Sequence, residues 1–129
     1  MNRAARPPVA GTEEPALKRV RQLCLELPGT SETDSWGHPN FRAGKVTFVT
    51  YEWFEGNPSV AFRVDGDTLA RLIGRPGFFA TPYGRGRWVS LRIGRRTNWK
   101  LVASLVRTSY LRVATARLIR QLEDRADSA

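Results

Sequence analysis

The sequence holds one cysteine, Cys24, and one histidine, His38, in 129 residues. A lone Cys cannot close an internal disulfide, and with a lone His it cannot build a zinc or iron centre, so no cofactor or metal site is expected. No Asp-rich loop with calcium-ligand spacing is present either. Long apolar runs are missing: hydrophobic stretches are short and broken by charge, and the N-terminal MNRAARPPVAG has no apolar block. Neither a membrane span nor a secretory leader is read, and the expected compartment is the cytoplasm. The most informative absence is of acid. From Thr68 to Leu122, across 55 residues, there is no Asp or Glu.

What fills that half is arginine. Lys and Arg total 21 against 12 Asp and Glu, a net charge of +9, and twelve of the bases fall between Thr68 and Leu122. Between Pro28 and Asp67 the balance reverses, with six acids against Arg42, Lys45 and Arg63. A general preference for arginine would not strip the acids from one half, so the asymmetry points to a polyanionic partner. Duplex DNA is the expected one. A membrane surface is disfavoured because no basic segment is clearly amphipathic with a large aromatic face. The rival reading is a protein-interaction or chaperone-like module that binds an acidic protein.

The residue pattern divides the chain into a disordered tail, 1–11, and one domain, 12–124. Thr12 is placed to cap a helix whose apolar stripe runs Leu17, Val20, Leu23, Cys24 and Leu27 before Pro28-Gly29 stops it. Strands are expected at 35–41, 46–53 and 59–64, then a short helix at 68–73 capped by Asp65 or Asp67. A second β pair, 78–82 and 87–93, flanks the turn Tyr83-Gly84-Arg85-Gly86. A long helix capped by Thr97 or Asn98 follows, its stripe rotating past Tyr110 so that a break or bend is expected there. The fold class is α+β: helices packed on an antiparallel sheet in the order α-β-β-β-α-β-β-α.

Catalytic signals are weak. Asp34, Ser35 and His38 are near one another in sequence but lack a nucleophile turn and an oxyanion hole, and Gly84-x-Gly86 opens a strand where a phosphate loop would open a helix. No enzyme is expected. Nucleic-acid candidates are Arg85, Arg87, Arg92, Arg95, Arg96 and Lys100 for phosphates, with Trp88 for base stacking; packing of Trp88 against the sheet is the competing role, and it is put ahead. Cys24, on the buried stripe, is read as a small core residue.

Several short motifs occur together: Pro28-Gly29, Trp36-Gly37-His38-Pro39, Phe41-Arg42 followed by Gly44-Lys45 and Phe48, Phe78 to Tyr83, Arg87-Trp88-Val89 with Leu91, and Ser109-Tyr110. In this order and spacing, from about Ala16 to Leu118, they resemble the MmcQ/YjbR family of small bacterial proteins. The resemblance implies a CyaY-like/YjbR-like architecture and a DNA-binding "double wing", without an established enzymatic activity or cofactor. A frataxin-type acidic iron ridge is not implied: Glu13, Glu14 and Glu26 are diluted by Lys18, Arg19 and Arg21. In this view the strand 87–93 and its turn form a wing whose arginines neutralise phosphates.

Overall fold

The computed structural model describes residues 14–128; the tail expected at 1–11 and the cap expected at Thr12 lie outside them. The described elements are α1 (Pro15–Leu25), β1 (Thr30–Ser35), β2 (His38–Ala43), β3 (Val46–Phe54), β4 (Asn57–Arg63), α2 (Gly66–Leu72), β5 (Phe78–Ala80), β6 (Trp88–Arg92), α3 (Trp99–Val113) and α4 (Ala116–Ser128). The strands form a six-stranded sheet in the order β1-β2-β3-β4-β6-β5, every neighbouring pair antiparallel. The fold is α+β, with one strand and one helix more than the sequence pattern suggests. The single strand expected at 35–41 is a hairpin, β1 and β2, turning at Trp36-Gly37, and the expected C-terminal helix is interrupted at Ala114, whose ψ of 144° is extended.

Alternation along the strands divides the sheet into two faces. On one, Val49, Tyr51, Val60, Phe62, Val89 and Leu91 lie in register and pack beneath α1 and α3 with Val20, Cys24, Val102, Val106 and Tyr110. A bulge at β2–β3 leaves Phe48 without a register partner, and its ring meets Tyr110 edge-on at 5.7 Å. The Tyr110 hydroxyl donates to the Pro28 carbonyl at 2.7 Å, tying α3 to the turn before β1. Local caps follow the sequence: Asp65 accepts from the Thr68 amide at 2.7 Å, which holds its carboxyl below the ordinary aspartate range, and Asn98 accepts from the Lys100 and Leu101 amides at the head of α3. Pro15 occupies the first turn of α1 after Glu14. No helix among the described residues is long and apolar enough to cross a membrane.

The opposite face presents Asn40, Thr50, Glu52, Ser59 and Ser90, all buried. The connection between β5 and β6, residues 81–87, lies over it as a strap. Tyr83 donates to Glu52 Oε1 and lies 3.2 Å from the Thr50 hydroxyl, Thr81 and Ser90 pair at 2.8 Å, and His38 Nε2 lies 3.2 Å from Glu52 Oε2. The tight hairpin turn expected at 83–86 is therefore a longer segment folded back on the sheet, because Tyr83 finds its partners two strands away.

Two features of the fold carry expectations. Trp36 sits in the hairpin turn at φ +55° with 87% of its surface exposed, a backbone region that costs a residue with a Cβ about 1–2 kcal/mol and that asparagine adopts readily. Trp36→Asn should therefore raise stability by about 1 kcal/mol in urea unfolding; a loss would mean that the ring holds the fold together. Cys24 has no exposed surface, and burial first, then the Glu32 charge, pushes its thiol well above the ordinary cysteine value. A thiol reagent should label it only as the protein unfolds. Rapid labelling of the native chain would contradict the burial.

Candidate nucleic-acid interface

The antiparallel order sets where the basic residues emerge. β6 runs opposite to β4, so its end at Arg92 lies beside the start of β4 and next to the start of β5. After β6 the chain turns at once: the Gly94 amide donates to the Thr97 hydroxyl at 2.8 Å and the Thr97 amide to the Gly94 carbonyl at 3.2 Å. That turn places Arg95 and Arg96 at its two central positions, both exposed, and the Asn98 cap starts α3 with Lys100 exposed in the first turn. Arg75, following α2, comes to the same end because its carbonyl accepts from the Phe78 amide as β5 begins.

Between these pieces lies an open groove of about 650 Å³. Its lining includes Arg75, Arg92, Arg95 and Arg96 and no carboxylate, over a floor that includes Phe78, Leu91 and Leu101. The Arg92 guanidinium stacks on Phe79, 4.7 Å from the ring centroid, which leaves Arg75, Arg95 and Arg96 without an ion pair among the described residues.

Arg85 and Arg87 belong elsewhere. Both are exposed, but they lie in the strap at the other end of β6, about 17 Å from Arg92 at about 3.4 Å per residue. Their neighbours there are Arg63 and Arg112. The Arg63 guanidinium has its pKa lowered by burial first, then by repulsion from Arg112 and Arg87, so with Arg85 four positive charges share that end. The arginines expected to form one wing thus divide between a groove end and a strap end, and the strap is folded down where a projecting hairpin was expected.

Trp88 is packed. Only 8% of it is exposed; Gly84, at φ +94°, lies so close above the ring that a Cβ there would come within 2.3 Å of Trp88 Cδ1, and Arg63 lies over the ring, 5.0 Å from its centroid. Of the two roles considered for this side chain, packing is the one the structure has, and the ring offers no open face to a base. The tryptophan that is open to solvent is Trp36, which the sequence pattern placed in a strand. Arg75 was also passed over as a site residue; its signal was the Pro76-Gly77 turn after it, which returns the chain to the sheet beside β6. Asp34 and Ser35 lie on β1, with Ser35 opposite His38 in register, and the His38 Nε2 lies against Glu52 on β3.

A family model, YjbR, matches residues 25–112. The chain belongs to the YjbR family. The matched span takes in all the arginines of both ends, from Arg63 to Arg112, and leaves α4 outside. Two solved structures share the YjbR fold of this chain. One is a Deinococcus radiodurans protein with a DUF419 domain, 20% identical, covering 83% of this chain and 87% of its own with a TM-score of 0.68. The other is a Pseudomonas syringae protein, 12% identical, covering 74% and 96% with a TM-score of 0.61. No curated protein matches this YjbR-family chain.

Proposed function

We propose that this YjbR-family protein binds nucleic acid, double-stranded DNA in the first instance, through arginine contacts to phosphates and without a catalytic step. The observation that carries this reading is the groove end of the sheet, where Arg75, Arg95 and Arg96 stand exposed without an ion pair among the described residues and no carboxylate lines the groove. Guanidinium groups suit phosphate oxygens because their donors are fixed in a plane and they are weakly hydrated. The strap end adds Arg85 and Arg87. Laid along β6, a duplex would pass both ends, since about 17 Å corresponds to about five base pairs at about 3.4 Å each.

Such binding is electrostatic, so its test is salt. A titration against random-sequence duplex at two salt concentrations should show affinity falling steeply as salt rises, by about 0.9 in log–log slope for each phosphate contacted. An acidic protein partner held mainly by apolar contact would show little salt dependence. No detectable duplex binding at low salt would move the function to that partner class.

A further inference from the structure

We propose that the arginine-rimmed groove is a pocket for a nucleoside phosphate, with a base lying on its apolar floor and the phosphate held at its rim. The inference uses arginines already assigned to duplex contact but stands on a different observation: the floor. A surface that only tracks a DNA backbone has no use for apolar depth. Here Phe78, Leu91 and Ile93 come to the groove from β5, β6 and the residue after it, each with less than a tenth of its surface exposed, and Leu101 joins them from α3. A volume of about 650 Å³ is ample for one nucleotide, and an apolar lining with a few charged groups is the usual composition of a small-ligand site.

The rim supplies the complementary charge. Arg95 and Arg96 flank the opening from the Gly94–Thr97 turn and Arg75 faces it from the α2–β5 connection, giving three guanidinium groups for one phosphate group. The Asn98 side chain already accepts from the first amides of α3, so the helix end adds positive potential without being the site. A base paired inside a duplex cannot reach the floor. The ligand is therefore a nucleotide free in solution or the terminal nucleotide of a strand, which present the same chemistry.

Calorimetric titration of the full chain with AMP, ADP and pyrophosphate, and with hairpin DNA whose unpaired 5′ overhang carries or lacks a terminal phosphate, separates the possibilities. ADP should bind about tenfold or more tightly than pyrophosphate, because stacking of the base adds to the phosphate contact. Equal affinity of the two would overturn the proposal, since the base would then contribute nothing. Leu101→Trp, which fills the floor and keeps every arginine, should cost ADP about tenfold or more while leaving pyrophosphate unchanged. Binding of AMP and ADP identifies the free nucleotide as the source. Binding of the 5′-phosphorylated hairpin alone identifies the strand end, and binding of neither refutes the pocket. Closed circular DNA, which has no ends, reports separately on the duplex function: its failure to bind sinks that reading and leaves the pocket to stand or fall on the nucleotides.

Discussion

Arg95→Ser combined with Arg96→Ser is expected to flatten the log-affinity against log-salt slope for random duplex by about 1.8, two contacts at about 0.9 each, while the folded structure is retained. Both side chains are exposed on a turn closed by Gly94 and Thr97, so their removal disturbs no packing. Arg85→Ser with Arg87→Ser should also flatten the slope, since a duplex laid along β6 passes the strap end. Arg117→Ser with Arg120→Ser, on the exposed side of α4, removes the same charge far from the groove and should change the slope little. The four substitutions at 85, 87, 95 and 96 together should abolish most binding. If all the pairs cost the same, the protein acts as a diffuse cation and neither end is a site.

His38→Ala is expected to lower the unfolding free energy by about 3–5 kcal/mol, the usual range when one partner of a buried ionisable pair is removed. His38 and Glu52 are 4% and 1% exposed, Nε2 lies 3.2 Å from Oε2, and deletion of the imidazole takes one partner from a carboxyl group buried between sheet and strap. Tyr83→Phe removes one hydroxyl from the same layer and should cost about 1–3 kcal/mol. Because the two residues meet at Glu52, the double variant should fall short of the sum of the two losses. Urea unfolding of the three variants measures this. A loss under about 1 kcal/mol for His38→Ala would show that water fills the space left by the ring.

Much of this fold was legible because its core writes itself in apolar spacing. Leu17, Val20 and Cys24 on α1, Val60 and Phe62 on β4, and Val102, Leu105 and Val106 on α3 are all buried where their periodicity places them. β1 was not legible. Its sequence, TSETDS, has no apolar residue, since an edge strand can be held by backbone pairing alone, with Glu32 engaged by Arg21 of α1. The break before α4 showed as a rotation of the apolar stripe, which fixed its neighbourhood without fixing its residue. The basic character of the candidate site could be read from composition, but its division into two ends could not, because it depends on the length of β6 and the course of the strap. The packing of Trp88 could be favoured over stacking from residue type, but what covers it could not be named: alternation gives a face, and only the tertiary path of residues 81–87 covers it.

The clasp between Tyr110 and Pro28 bears on how the chain comes together as it is made. β1 to β4 form an unbroken meander that can pair within itself once Arg63 has emerged, yet the apolar side of that meander, with Tyr51, Val60 and Phe62, waits for α3. Residues 64–98 must follow before Trp99 begins the helix that covers it. The nascent protein therefore passes through an interval in which the paired meander has only α1 against its apolar side, and the hydrogen bond that ties α3 down reaches back across 82 positions to the turn before β1. A ribosome that stalls in that interval holds a product prone to clumping until α3 arrives.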